Sequence, residues 1–150
     1  MIRMQWTYRT VATVGCLIAL TASSGCSNSP TSPTSVAFSQ TDLRAGAGTE
    51  AASGKLLTVN YTGWLYDPSK PDQKGLVFDS SIGSAPFTFT LGAGQVIKGW
   101  DDGLVGLRVG GLRRLVIPSS MAYGGVRTFA IPPFATLLFE VDLLEVKDPE

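Results

Sequence analysis

The segment that decides the fold runs from Gly94 to Leu104 and reads GQVIKGWDDGL. Its apolar residues Ile97, Trp100 and Leu104 are spaced by three and then four positions, which places them on one face of a short helix. Gly106 suits the end of that helix. Because Trp100 is the largest apolar side chain in the middle of the chain, we expect strands to wrap around it. From this segment alone, Trp100 is interpreted as a core anchor.

The sequence on both sides of this helix alternates between apolar and polar residues, as half-buried strands do. Antiparallel strands with one face in water suit this alternation. Pro, Gly and polar residues predict loops over 66–75 and 124–133, and one helical turn is expected over 119–123. The predicted strands cover residues 55–65, 76–80, 87–91, 112–117 and 137–146.

Composition excludes several classes of function. The chain has 150 residues, enough for one domain with a core and additional segments. Its 12 basic and 12 acidic residues give zero net charge, so we expect no nucleic-acid partner, which would require a basic patch. The chain has no histidine, which excludes histidine-based triads, general bases and metal ligands. We predict no metal site and no cofactor.

Residues 1–25 have the pattern of a secretory signal. Arg3 and Arg9 supply positive charge, Val11 to Ala22 form a mostly apolar run, and small residues follow. The run is too short to span a bilayer comfortably. We therefore exclude this leader from the fold and expect an exported protein.

Cys26 directly follows the small residues Ser23, Ser24 and Gly25 and resembles the acylated cysteine of bacterial lipoproteins. The resemblance implies lipidation at Cys26 and a membrane-anchored protein facing the periplasm, although Ser23 stands where leucine is usual. The alternative is an ordinary signal cleaved near Ala22 that leaves Cys26 free. We favour the lipoprotein because a lone thiol is a liability in an oxidising compartment.

Residues 26–40 are predicted to form the lipidated cysteine and a flexible Ser/Thr/Pro tether. Ser27 to Ser35 have no apolar periodicity and cannot bury a face. A coil of this length reaches on the order of 20 Å. The folded domain is predicted to span residues 41–150.

No catalytic constellation is visible in the domain. Asp101 and Asp102 are adjacent and diverge on a helix, and Ser80 and Ser81 lack a base to activate them. What remains is an excess of aromatic residues, which together with Val96, Ile97 and Ile131 could line an apolar pocket or simply form the core. These aromatics are Tyr61, Phe78, Phe87, Phe89, Trp100, Tyr123 and Phe139.

Seven short motifs in a fixed order make the chain resemble the FKBP family of peptidyl-prolyl cis–trans isomerases over residues 43–146. The resemblance implies an α+β fold, in which a twisted antiparallel half-barrel sheet curls around one short central helix. The predicted strands and helix agree with that expectation. The motifs are VNYTGWL at 59–65, FDSS at 78–81, PF at 86–87, LG at 91–92, VIKGW at 96–100, AYG at 122–124 and IPPFATL at 131–137.

The resemblance also implies a role for each pocket residue. Trp100 would form the floor, the Ile97 backbone N–H and the Tyr123 hydroxyl would bind substrate carbonyls, and Asp79 would lie beside the twisting amide. The implied catalytic residues are Tyr61, Asp79, Ile97 and Tyr123. The implied substrate-binding residues are Phe78, Phe87, Val96, Trp100, Ile131 and Phe139.

Three departures from the family pattern bear on substrate preference and on affinity for macrolide inhibitors, which the resemblance implies as further ligands. Residues 82–85 are slightly shorter than usual and contain no arginine to pair with Asp79. Gln95 stands where glutamate is common. The segment 125–130 is shortened, and Ala130 replaces the usual isoleucine.

The expected function is isomerisation of X–Pro bonds that assists the folding of exported proteins. Twisting an amide requires no nucleophile, because an apolar pocket destabilises the polar planar state relative to the twisted one. One alternative is a chaperone module that binds proline-containing polypeptides with little turnover. Another is a structural lipoprotein whose aromatics are all core, against which a cavity open beside Trp100 would argue.

Overall fold

The computed structural model describes residues 36–149. The predicted signal, Cys26 and the first part of the tether lie outside these residues. Within them, no helix is long and apolar enough to cross a bilayer. The elements in chain order are β1 (Ser39–Arg44), β2 (Leu56–Tyr66), β3 (Lys74–Ser80), β4 (Phe87–Thr90), α1 (Lys98–Gly103), β5 (Leu112–Ile117), a single 3-10 turn (Ser119–Met121) and β6 (Leu137–Lys147).

The strands form one antiparallel sheet in the order β1-β5-β6-β2-β3, with β4 also paired to β2. The long strands β2 and β6 pair from Leu56 opposite Lys147 to Leu65 opposite Leu137. The other edge of β2 is shared, because β4 pairs with residues 56–59 and β3 with residues 62–66. The expected α+β fold of an antiparallel sheet with one short helix is confirmed.

The inner face of the sheet and α1 enclose the core. On β6, Leu137, Phe139, Val141 and Leu143 are at most 4% exposed, as their alternation predicted. Trp100 is 4% exposed and lies in the middle of α1, whose flanking cap residues are Ile97 and Leu104. Local spacing therefore located the helix correctly.

Two glycines let the backbone of α1 rest directly on β5. A Cβ atom on Gly99 would lie 2.4 Å from Ile117 Cγ2, and one on Gly103 would lie 2.8 Å from Leu115 Cδ2. Both distances are far shorter than a van der Waals contact. Any larger residue at either position would push the helix off the sheet.

Strand β1 was not predicted. All six of its residues are exposed, so they lack the alternation that marks a half-buried strand. They nevertheless pair with β5, from Ser39 opposite Val116 to Arg44 opposite Leu112. The ordered sheet thus begins at Ser39, two residues before the predicted start of the domain.

The outer face of the sheet carries an apolar cluster that the alternation did not indicate. Leu138 is fully buried and Val116 is 7% exposed, although both point away from the inner face. Leu138 lies between Trp64 on β2 and Val116 on β5. The ammonium of Lys74 lies 4.4 Å from the centre of the Trp64 ring.

Candidate active site

A cavity of about 440 Å³ opens above Trp100. Nine of the ten sequence-predicted pocket residues line it, and Gln95 is an additional lining residue. Ile131 is not part of the lining; it is 6% exposed and packs in the core. The lining residues are Tyr61, Phe78, Asp79, Phe87, Gln95, Val96, Ile97, Trp100, Tyr123 and Phe139.

Aromatic rings surround the Trp100 indole and fix its orientation. The ring centres of Tyr61 and Phe139 lie 5.1 and 5.3 Å from that of Trp100, at angles of 83° and 84°. Phe89 and Phe87 lie 5.6 and 6.3 Å away. Edge-to-face pairs of this kind are favourable beyond the area that they bury. The indole N–H is buried and has no hydrogen-bond acceptor within residues 36–149.

The wall that leads into α1 is held by two side chains. The Asp101 carboxylate accepts hydrogen bonds from the Gly92 and Gly94 N–H groups at 2.8 and 3.1 Å. The Gln95 side-chain oxygen accepts one from the Thr90 N–H at 2.9 Å. Both glycines have positive φ values, 77° and 68°, which other residues rarely adopt. These three hydrogen bonds place Val96 and Ile97 at the cavity.

The Ile97 N–H donates to no backbone carbonyl in the part of the chain that the structure describes. Ile97 is the N-cap residue of α1, and its extended backbone (φ −61°, ψ 149°) leaves this N–H outside the helical hydrogen bonds. Its carbonyl accepts from Trp100 and Asp101. Ile97 thus offers the cavity wall a backbone donor that has no backbone partner within residues 36–149.

Tyr61 and Asp79 form a hydrogen-bonded pair that the sequence did not indicate. The Tyr61 hydroxyl donates to Asp79 Oδ2 at 2.7 Å, so the carboxylate that lacks an arginine has a phenol as its partner. Burial raises the pKa of Tyr61 above its ordinary value, and the hydrogen bond and the negative charge of Asp79 raise it further. The hydroxyl therefore stays protonated and oriented at neutral pH.

Tyr123 is 39% exposed at the cavity. Burial raises the pKa of its hydroxyl, and the charge of Asp79 adds to the effect. The 3-10 turn before Tyr123 is closed by a hydrogen bond from the Gly124 N–H to the Ser119 carbonyl at 2.8 Å. Tyr123 thus provides a protonated hydroxyl donor on a turn fixed by its own backbone.

Ser81 supports the site rather than acting as a nucleophile, a role that was not predicted. It is 6% exposed, and its Oγ accepts from the Tyr61 N–H at 2.9 Å and donates to Asn60 Oδ1 at 3.1 Å. It therefore fixes the end of β3 against the backbone of Tyr61. A serine and an asparagine inside two of the family motifs were the only signals for this role.

Gly63 lets two pocket rings close over β2. A Cβ atom at this position would lie 2.7 Å from Phe78 Cζ and 2.8 Å from Phe139 Cε1. Phe78 and Phe139 meet edge to face, with ring centres 5.5 Å apart. One wall of the cavity thus depends on the absence of a side chain at Gly63.

The chemistry available at this cavity is binding and orientation. The cavity has a mostly aromatic lining with two phenol hydroxyls, one carboxylate, the Gln95 amide and the Ile97 N–H, which has no backbone acceptor within residues 36–149. Within residues 36–149, no three His, Cys, Asp or Glu side chains are grouped so that they could hold a metal ion.

Comparison with known proteins identifies the family. The model of FKBP-type peptidyl-prolyl cis–trans isomerases matches residues 48–144. The chain is 53% identical over 107 residues to an FK506-binding protein of Neisseria meningitidis serogroup B, covering 70% of this chain and 92% of that relative. It is also 54% identical over 101 residues to FK506-binding protein 2B of Rhizopus delemar, covering 63% and 44% of the two chains.

Two solved structures share the fold. The crystal structure of FkpA from Escherichia coli has a TM-score of 0.63 and 38% identity, and the match covers 74% of this chain and 48% of FkpA. A peptidyl-prolyl cis–trans isomerase from Pseudomonas syringae has a TM-score of 0.61 and 36% identity, with 73% and 75% coverage. Together these matches show that the chain belongs to the FKBP family and is a peptidyl-prolyl cis–trans isomerase.

Proposed function

We propose that the cavity above Trp100 is the site of isomerisation and that the protein twists X–Pro bonds of exported polypeptides there. The observation that carries this proposal is the lining itself. Edge-to-face rings surround the Trp100 floor of a cavity of about 440 Å³, and its hydrogen-bonding groups are few. Cavities of this size, apolar with a few placed polar groups, are typical of small-ligand sites.

The apolar lining supplies the rate enhancement. Resonance makes the peptide bond planar and gives a rotation barrier of about 18–20 kcal/mol. The planar amide is also the more polar state, because resonance places negative charge on its oxygen and positive charge on its nitrogen. An environment poor in water therefore disfavours the planar amide relative to the twisted one. The indole of Trp100 and the surrounding rings provide that environment for the prolyl bond.

Hydrogen bonds hold the flanking residues in the geometry that favours the twist. The Ile97 N–H, which has no backbone acceptor within residues 36–149, and the protonated Tyr123 hydroxyl each donate to a substrate carbonyl. Tyr61 holds the Asp79 carboxylate beside the twisting amide through its 2.7 Å hydrogen bond. Fixing several substrate groups at once lowers the entropic part of the barrier.

The proposed location is the periplasmic side of a membrane, with the protein anchored through acylated Cys26. The signal-like leader and the small residues before Cys26 support this. Proline-containing exported proteins are then the natural substrates.

Macrolide binding at the same cavity is a second proposal, supported by relatives named FK506-binding proteins. Gln95, in the lining, and the shortened 125–130 segment are departures from the family pattern that bear on macrolide affinity.

A proline-peptide isomerisation assay with paired variants tests the proposed site. Phe78→Ala removes a lining ring, whereas Phe129→Ala removes a fully exposed phenylalanine outside the lining. We expect kcat/KM to fall on the order of tenfold or more in Phe78→Ala, because a misplaced substrate reacts slowly, and to stay at the parent value in Phe129→Ala. Full activity in a folded Phe78→Ala variant would place the site elsewhere. Tight peptide binding without turnover by the parent chain would favour the alternative of a binding-only chaperone module.

A further inference from the structure

A buried arginine joins the helix below the cavity to the first strand of the sheet. The Arg113 side chain is 7% exposed. Its Nη1 donates to the carbonyl oxygens of Gly103 and Val105, both at 2.9 Å. Its Nε and Nη2 donate to the two carboxylate oxygens of Asp42 at 2.5 and 3.1 Å. One guanidinium thus binds two carbonyls at the C-terminal end of α1 and one carboxylate on β1.

The chemistry of this position requires both members of the pair. Only the planar fork of arginine can bind a carboxylate with two parallel bonds while donating to carbonyls on another side. Helix α1 has no basic residue in its last turn, so Arg113 supplies the positive charge that complements the negative end of the helix. Asp42 in turn neutralises a cation that would otherwise be buried without a counter-charge.

Helix α1 packs on the inner face of β5. Within residues 36–149, the only side-chain hydrogen bond between these two elements comes from Arg113. Arg113, Leu115 and Ile117 alternate along this face. Leu115 and Ile117 touch the helix where Gly103 and Gly99 expose its backbone. Apolar contacts resist separation but are non-directional, so they do not fix how far a short helix slides along its groove. The hydrogen bonds of Arg113 fix the C-terminal end of the helix, whereas Asp101 ties its middle to the turn at Gly92 and Gly94.

The geometry points to Asp42 and Arg113 as positioning residues of the pocket, whose ion pair sets the position of α1 and thereby that of the Trp100 indole in the cavity floor. Neither residue lines the cavity. Trp100 lies one helical turn before Gly103, so a displacement of the helix end moves the indole with it. The kinetic consequence rests on the proposed function, whereas the displacement of Trp100 does not.

The test compares two variants of β1 in the full chain. Asp42→Asn removes the carboxylate that faces Arg113. Arg44→Gln is the matched control: Arg44 lies on the same strand and pairs with Asp142 at 2.7 Å, but its hydrogen bonds reach Asp142 and the Gly110 carbonyl, not α1. Both changes replace a charged group by an amide and break one ion pair. Asp42→Glu is the conservative variant that keeps the carboxylate.

Two readouts are measured well below the unfolding temperature. The first is the fluorescence of Trp100 in a background carrying Trp6→Phe and Trp64→Phe, which leaves Trp100 as the only tryptophan of the chain. The second is kcat and KM for a proline peptide. For Asp42→Asn we expect a shifted emission maximum and a kcat/KM lowered by about tenfold, because small displacements at a reacting site are costly. Asp42→Glu should recover at least part of the parental emission maximum and kcat/KM. Arg44→Gln should change neither the emission maximum nor kcat/KM.

Three results would overturn the positioning role. The first is parental emission and kcat/KM in a folded Asp42→Asn variant. The second is an equal change of both readouts in Arg44→Gln, which would mean that any weakening of β1 suffices. The third is a shifted emission with unchanged kcat/KM. A parent chain without turnover would reject the proposed function instead, and the emission comparison would then decide alone whether the ion pair positions Trp100.

Discussion

Replacing Gly63 by alanine tests the close packing of the two rings that form one cavity wall. The new Cβ would lie 2.7 Å from Phe78 Cζ and 2.8 Å from Phe139 Cε1. Carbon atoms in contact prefer about 3.5–4.0 Å, so each ring would have to retreat by about 1 Å. Phe139 cannot retreat, because it is 4% exposed and packs edge-on against Trp100 at 5.3 Å. Phe78, which is only half-buried, must therefore move.

We expect two measurable consequences. Overpacking of this kind costs about 1–3 kcal/mol of unfolding free energy. For a domain of this size that lowers Tm by roughly 5–15 °C in a thermal scan. Because the displaced ring lines the cavity, kcat/KM for a proline peptide should also fall, by on the order of tenfold.

Two further variants test whether the clash with the rings causes the loss of stability and activity. Gly125→Ala also places a Cβ near an aromatic ring, 2.9 Å from Phe134 Cζ, but that ring is 75% exposed and free to swing away. It should alter neither Tm nor kcat/KM. Phe78→Leu removes one of the two clashing rings and leaves the contact with Phe139, so Gly63→Ala should cost less in its presence, with a coupling of about 1 kcal/mol in the double-mutant cycle. Additive costs, or a Gly63→Ala variant as stable and active as the parent, would refute this packing.

Three other predictions concern stability and location. Phe134 has a φ of 60°, a conformation that asparagine tolerates far better than phenylalanine. Phe134→Asn should therefore raise the unfolding free energy by about 1 kcal/mol in urea unfolding. The control variant Phe129→Asn should not raise it. Burial alone would raise the pKa of Glu140, but hydrogen bonds from Lys74 and Arg114 lower it below its ordinary 4.5. The stability that this carboxylate contributes is therefore present above pH 4.5 and lost as the pH falls through the lowered value, and Glu140→Gln should flatten that acid loss in unfolding measured from pH 2 to pH 6. Cys26→Ser should release the protein from the membrane fraction while Cys16→Ser leaves it there; equal fractionation of Cys26→Ser and the parent would contradict the lipid anchor.

Local sequence patterns were sufficient to predict the helix and the strands that bury one face. The spacing of Ile97, Trp100 and Leu104 located α1, and strict alternation located β6. Strand β1 escaped prediction because an edge strand exposed on both faces has no burial pattern to read. Leu138 escaped because the outer face gains its apolar cover from Trp64 and Val116, which are distant in sequence.

The candidate site, too, could be predicted from the sequence only in part. The resemblance to the family named nine of the ten lining residues, but not Gln95 and not how the side chains are held. The Tyr61–Asp79 hydrogen bond and the contacts of Ser81 depend on the register of β2 and β3, which shifts at a bulge between Gly63 and Trp64. Ile131 was expected in the ring around the cavity but is not among the residues that line it. Contacts that depend on strand register and on loop closure cannot be predicted from any single segment of the sequence.

The pH dependence of kcat/KM for a proline peptide shows whether isomerisation occurs at this cavity without proton transfer. The chain has no histidine. The pKa values of Tyr61 and Tyr123 are raised above the ordinary value of 10, so both hydroxyls remain protonated at neutral pH. We therefore predict a flat profile between roughly pH 6 and pH 8. A bell-shaped profile that persists in Asp79→Asn would show proton transfer by another group and would rule out isomerisation by desolvation and twisting alone.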